Sequence, residues 1–282
     1  MTTQTAPNDQ QSLWNGPAGK AWGESQALMD SILRPFQDLL LDVLPSDARA
    51  VLDVGCGTGS TTLAVAERLG ASGSTTGIDI SEPLLTVARA RAAQLGQPID
   101  FVLADAQTHP FGGARFDTVI SRFGVMFFEN PTHAFGNLRR ATLPGGHLRF
   151  VAWRSADENP FMTTAERAAA PLLPSLPVRR PDEPGQFAFA DRARVDGILT
   201  DSGWTQVEIR PIDVTCAMPT SDLIPYVTRF GPVGRLLEES SGDIRARFTE
   251  RIGAAFAHYT HGSEVRFTAA CWLVGARAER VE

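Results

Sequence analysis

The stretch Val51-Leu52-Asp53-Val54-Gly55-Cys56-Gly57-Thr58-Gly59-Ser60 reads as a short β-strand that ends in a glycine-rich turn and opens a helix. Glycines lack the Cβ that would keep a ligand away from the backbone, so such a turn is a place where main chain meets a bound molecule. The spacing discriminates between ligands. A dinucleotide turn requires G-x-G-x-x-G, yet three residues past Gly57 stands Ser60. Asp53, two residues before Gly55, is an awkward neighbour for a pyrophosphate and a suitable one for a positively charged ligand.

Working outward, β-rich runs alternate with helical runs from residue 50 onward, which predicts a parallel sheet with helices on both faces. Strands are expected at 50–54, 75–80, 99–103, 116–121 and 147–153, with helices starting at Ser60, Glu82 and Pro131 and with Gly70 and Gly96 as C-terminal caps. The connection after Asp105 shows no clear helical pattern. Asp79 ends the second strand and can accept hydrogen bonds from a ribose, a feature shared with nicotinamide-binding sheets. Asp105 follows the third strand, where a carboxylate can accept from an adenine amine.

The flanking regions read differently. Residues 1–11 are polar and expected to be disordered. Trp14 and Trp22 fall in a segment punctuated by Gly16, Pro17 and Gly19, read as loop-like, and a helix is expected at 25–44, with Leu28, Ile32, Phe36, Leu40 and Val43 on one stripe and a possible kink at Pro35. Beyond Trp153 comes a proline-rich stretch at 160–184 with one short helix at 162–170, then a helix at 191–202, a strand at 206–214, helical material at 221–259 and a last strand at 267–276. The expected organisation is an N-terminal arm and helix at 1–45 acting as a lid, then one domain at 46–282 with cap insertions at about 155–190 and 219–262.

Composition narrows the partners. A hydrophobic fraction of 43% and a charged fraction of 21% are those of an ordinary globular protein. A net charge of −6 argues against nucleic acid, whose binding needs clustered cations. Cys56, Cys216 and Cys271 are far apart and show no metal-ligand spacing, so no metal is expected and reduced thiols are the default. No signal peptide or membrane span is legible, and the expected location is the cytoplasm. The oligomeric state is not legible.

The chain resembles the class I S-adenosylmethionine-dependent methyltransferases, in the branch related to ubiquinone and natural-product methyltransferases. The carrying residues are Val51 to Gly59, Thr76 to Ser81, Ala104-Asp105-Ala106, Phe116 to Ser121 and Leu143 to Leu148, in the family's order and spacing. The resemblance implies a Rossmann-like α/β fold, with a seven-stranded sheet whose last strand runs antiparallel and is inserted beside the strand at 206–214, and with a small helical cap. It implies S-adenosylmethionine as cofactor, with S-adenosylhomocysteine as product. Backbone contacts are expected from Gly55 and Gly57 to the methionine moiety, with Asp79 at the ribose, Ile80 on the adenine face, Asp105 and Ala106 at the adenine rim and Ser121 near the transferable methyl; Thr58, Trp14 and Trp22 are also expected to bind the cofactor. Trp14 and Trp22 look like part of the family's mobile lid.

Blander readings stand beside these. Trp14 and Trp22 can simply pin the arm to the fold, and Asp117, starting a buried strand, is read as a structural acceptor for neighbouring backbone. Arg122, Phe123, Met126 and Phe127, following the fourth strand, can be core or the wall of a substrate pocket; their aromatic character favours an apolar or planar small-molecule acceptor, methylated on O, C or N. A surface role is expected for each histidine, with His133 the best placed to remove a proton. Two other readings remain: an NAD(P)-dependent oxidoreductase on a similar sheet, separable by titration with NADH, and a module that binds S-adenosylmethionine without turnover. No catalytic residue is identified, since a base is needed only when the acceptor must lose a proton.

Overall fold

The structure, a computed structural model, describes residues 10–96, 98–177, 180 and 183–279. Most of the polar start, residues 178–179 and 181–182 of the proline-rich insertion and the last three residues lie outside these. In chain order the elements are α1 (Gln10–Asn15), α2 (Pro17–Glu24), α3 (Gln26–Asp42), β1 (Ala50–Val54), α4 (Ser60–Leu69), β2 (Ser74–Asp79), α5 (Glu82–Leu95), β3 (Asp100–Leu103), β4 (Phe116–Arg122), α6 (Pro131–Ala141), β5 (Thr142–Trp153), α7 (Pro160–Ala169), α8 (Arg192–Asp201), β6 (Trp204–Pro219), α9 (Leu223–Arg229), α10 (Gly231–Glu238), α11 (Gly242–Ala255), β7 (Thr260–His261) and β8 (Glu264–Ala278).

The sheet runs β3-β2-β1-β4-β5-β8-β6, with the two-residue β7 paired to β8 as an eighth strand. The first five strands are parallel, and β8 is antiparallel to both β5 and β6. This is the expected Rossmann-like architecture, with one short extra strand. Strand order reverses between β1 and β4, and ligands of open α/β sheets bind outside the carboxyl ends of the strands at such a point.

Helix boundaries follow local chemistry. Ser81 accepts from the Leu84 amide at the start of α5, and Asn130 accepts from the His133 amide at the start of α6, each satisfying one orphan N–H. In α3 the residues Met29, Ile32, Leu33, Phe36 and Leu40 are buried along one stripe, and the helix runs unbroken through Pro35 because that stripe is held against β4, β5, β6 and α4. The loop-like reading of Trp14 to Trp22 is corrected: the segment is two short helices. Gly16 separates them, and Pro17 opens α2 in its first turn, where its missing N–H costs nothing.

β6 and β8 pair from Trp204 with Ala278 to Pro219 with Glu264, a longer ribbon than the alternation at 206–214 and 267–276 suggests. β5 stops at Trp153 opposite Cys271, leaving the start of β8 uncovered on that side. Asn159, fully buried, covers the next position by acting as a strand with its side chain: its Nδ2 donates to Ala270 O at 2.9 Å and its Oδ1 accepts from Ala270 N at 2.9 Å. That bond pair fixes where α7 begins. The Phe161 ring then stacks on Phe267 of β8 at 3.8 Å and meets Phe256 and Tyr259 edge-on at 5.2 and 5.0 Å. α7, α9, α10 and α11 pack together around this cluster as a cap beyond the ribbon's end.

Candidate active site

A cavity of about 2080 Å³ lies over the carboxyl ends of β1, β2 and β4 and extends under the cap. The glycine turn forms part of its wall. Gly55 has φ +67° and an added Cβ would stand 2.7 Å from Gly124 Cα, so here glycine lets two loops touch. Gly57 has φ +56°, and a Cβ there would meet nothing within 4 Å, projecting into open space. Asp79 holds the turn in place: Oδ2 accepts from Gly57 N at 2.8 Å and Oδ1 from Ser81 N at 2.9 Å. Burial raises its pKa above the ordinary carboxylate value, making it a weaker acid, and the bonds from Ser81 and Gly57 oppose the rise.

Asp53 is buried behind the turn and takes a hydrogen bond from Thr62 Oγ1 at 2.7 Å. Burial pushes its pKa up to about 6, while Thr62 and the Arg122 guanidinium pull it down. Arg122 leaves β4 toward α3, where Nη1 reaches Leu33 O at 3.5 Å, and its charge is felt by Asp30 and Asp53. Asp105 accepts from Gln107 N at 2.9 Å, forming a tight turn after β3.

Of the residues picked from the sequence, Trp14, Trp22, Gly55, Gly57, Thr58, Asp79, Ile80, Asp105, Ala106, Arg122, Phe123, Met126 and Phe127 all line this cavity. Ser121 does not. It is fully buried, its hydroxyl donating to Val54 O at 2.7 Å and accepting from Gly124 N at 3.1 Å, so it ties β4 to the glycine turn. Phe123 carries φ +65°, a strained conformation for an aromatic residue, held by stacking on Trp153 at 4.8 Å and by its N–H to Val151 O. Asp117 accepts from the amides of Arg49 and Ala50, the structural role expected of it.

The arm is anchored beside the β2 end. Trp14 O accepts from Ser81 Oγ at 2.6 Å, and Asn15 bridges Ile80 O and Glu82 N. Trp14 meets Phe127 edge-on at 5.3 Å, and Trp22 meets Phe230 of the cap at 5.6 Å. The arm therefore joins the pocket run to the cap.

No histidine among the described residues lines the cavity. His133 is exposed at the start of α6. His147 sits on β5, its pKa lowered to about 4 by burial and by Arg277 and Arg149. No group of three potential metal ligands occurs among the described residues, and none of their helices is long and apolar enough to cross a membrane. The three cysteines are buried free thiols.

The sequence reading left several lining residues unnamed: Thr61, Trp153, Met162, Tyr226, Phe230 and the cap arginines Arg229, Arg235 and Arg245. The cap residues have no motif to mark them, because the lengths of β6 and β8 bring them over the site. Thr61 could have been suspected from its place in the first turn of α4. Its hydroxyl is buried at the cavity wall without a partner among the described residues.

The comparisons with known proteins bear on this geometry. Residues 51–146 match a family model described as a methyltransferase domain. An uncharacterized protein of Mycobacterium tuberculosis is 32% identical over 203 residues, covering 71% of each chain. The demethylmenaquinone methyltransferase of Renibacterium salmoninarum is 26% identical over 216 residues, 73% of this chain and 88% of that one. Among solved structures, one described as converting a disulfide bond into a thioacetal group during echinomycin biosynthesis superposes with a TM-score of 0.55 at 22% identity, covering 88% of this chain and 82% of that one. The chain belongs to the class I S-adenosylmethionine-dependent methyltransferases. The nicotinamide alternative gives way accordingly.

The residues present fit that cofactor. Gly57 leaves space that a Cβ would fill, Thr61 offers an unpaired buried hydroxyl, and three strand ends carry carboxylates suited to a cation, a ribose diol and an exocyclic amine.

Proposed function

We propose that this chain transfers a methyl group to an O, C or N atom of a small, apolar or aromatic metabolite held between the strand ends and the cap, in the cytoplasm. The observation that carries the reading is the continuity of one cavity from the glycine turn, through Phe123, Met126, Phe127 and Trp153, to Met162, Tyr226 and Phe230 of the cap. A relative named for demethylmenaquinone, an acceptor named for its quinone, supports this choice of class.

S-adenosylmethionine, when bound, supplies a methyl already activated on a sulfonium. Gly55, Gly57, Thr58 and Thr61 would hold the methionine end, Asp79 the ribose, Ile80 one adenine face, and Asp105 with Ala106 the adenine rim. Asp53, behind the turn, sets a negative field suited to the cation. The arm, through Trp14 and Trp22, acts as the lid that excludes water. The aromatic wall orients the acceptor, and orientation alone can lower a barrier by up to roughly 7–11 kcal/mol in ideal cases.

Tyr226 brings the one phenol among the described lining residues, yet burial pushes its pKa up to about 12 and its hydroxyl points at Met162 Sδ at 3.7 Å. It therefore stays protonated near neutrality and serves as wall and hydrogen-bond donor. Calorimetric titration with S-adenosylhomocysteine tests the reading: the protein binds it, and Asp79→Ala weakens binding by tenfold or more while the fold survives. A folded protein that does not bind overturns the proposal. A mass-spectrometric screen for methylated product across apolar and aromatic acceptors separates turnover from silent binding.

A further inference from the structure

Charge is not spread evenly around this cavity. The strand ends contribute the carboxylates Asp53, Asp79 and Asp105, each engaged with Thr62 or with backbone amides, against the single cation Arg122, while Lys20 and Glu24 of the arm offset each other at 3.9 Å. The cap contributes Arg229 at the end of α9, Arg235 in α10 and Arg245 in α11, three exposed arginines from three helices that line the same cavity. Among the described residues Arg235 and Arg245 have no ion-pair partner, and Arg229 makes only a long contact of 3.4 Å to Ser25 Oγ. Elsewhere on α11 the contrast is plain: Arg247, which does not line the cavity, is offset by Asp243 at 3.8 Å. On the cap wall itself Arg180 is paired with Glu183 at 3.2 Å, leaving Glu238 as the single opposing charge among the described residues there.

A chain whose net charge is −6 thus places a local excess of positive charge at one end of its site. Guanidinium groups without an ion-pair partner, contributed to one cavity by separate helices, suit the planar, bidentate geometry of a carboxylate or phosphate. The same cavity is lined by the apolar side chains of Met162, Phe187, Tyr226 and Phe230.

Resting on the methyltransferase reading above, we infer that the acceptor is an amphiphilic anion: an apolar or aromatic body carrying a carboxylate or phosphate, which Arg229, Arg235 and Arg245 grip at the cap. The anion anchors the molecule from the cap side, so its reacting atom is presented from the apolar body toward the strand ends. The field of the arginines also draws such a molecule in and makes its capture dependent on ionic strength.

The test uses the full-length protein loaded with S-adenosylhomocysteine, titrated with naphthoate, naphthyl phosphate and the neutral naphthamide at low and high salt. The expected result is binding of at least one anion tenfold or more tighter than the amide, an advantage that salt reduces and that R235Q/R245Q abolishes. The tighter of the two anions names the oxyanion. Equal binding of anion and amide, no anion binding, or an advantage that persists in R235Q/R245Q overturns the inference, and S-adenosylhomocysteine affinity unchanged in that variant shows that its fold and cofactor site are intact. Failure of the protein to bind S-adenosylhomocysteine at all overturns the underlying reading instead.

Discussion

Gly55→Ala and Gly57→Ala are the same change, two residues apart in one turn, and the structure assigns them opposite consequences. Both positions have positive φ, +67° and +56°, so an L side chain costs about 1–2 kcal/mol at each. At Gly57 nothing else is added, because no atom lies within 4 Å of the new Cβ and the N–H that donates to Asp79 is kept. At Gly55 the Cβ overlaps Gly124 Cα at 2.7 Å. Gly124 cannot retreat, since a Cβ built there would itself sit 2.6 Å from Val54 O, so this backbone is packed tightly on the strand behind it. Overpacking against backbone brings the total for Gly55→Ala to about 2–5 kcal/mol. Thermal unfolding, at roughly 2–4 °C per kcal/mol for a chain of this order of size, reads the difference. Calorimetry reads the other half: Gly57→Ala, destabilised only by its backbone conformation, loses S-adenosylhomocysteine affinity by tenfold or more because its methyl occupies ligand space. A Gly57→Ala protein that binds normally, or a Gly55→Ala protein as stable as Gly57→Ala, would refute this account of the turn.

Ser121→Ala strips a partner from Val54 O and Gly124 N, costing about 1–3 kcal/mol in urea unfolding, with cofactor affinity little changed; a loss of affinity at unaltered stability would instead support direct contact. Asp53, with a folded pKa of about 6 against an ordinary 3.8, is a group whose protonated form the fold favours. Its contribution to stability is therefore fully present below about pH 4 and is lost as pH rises through 6. The stability difference between parent and Asp53→Asn should shift in the variant's favour by up to about 3 kcal/mol across that window, and a flat difference counts against the burial argument. Phe161→Ala removes the centre of the cap's aromatic cluster at a cost of about 3–5 kcal/mol. Limited proteolysis should then cut the cap while S-adenosylhomocysteine binding is kept; equal loss of both would show that cap and sheet unfold together.

The strand-turn-helix at 51–60 and the acids after the second and third strands were legible because their chemistry is local. A glycine turn, an Asp at a strand end and a β-rich run each need only a few neighbouring residues, and parallel strands buried on both faces write themselves as apolar runs. The helix at 26–42 was legible for the same reason, through its stripe. What the reading of Trp14 to Trp22 missed was tertiary: its glycines and proline look like loop punctuation, yet the anchoring of Trp14 and Asn15 on the turn after β2 secures two helices there. Ser121 shows the converse, a correctly placed strand residue whose hydroxyl turns inward to Val54 and Gly124, a direction that period-two alternation alone does not give. The cap is the strongest case. Arg229, Arg235 and Arg245 sit on three helices more than a hundred residues from the glycine turn, and they reach its cavity because the β6-β8 ribbon overhangs β5 and carries them there. The glycine-turn side of the cavity is built from short-range pattern and could be read along the chain; its cap side is built from long-range packing, which no local pattern encodes.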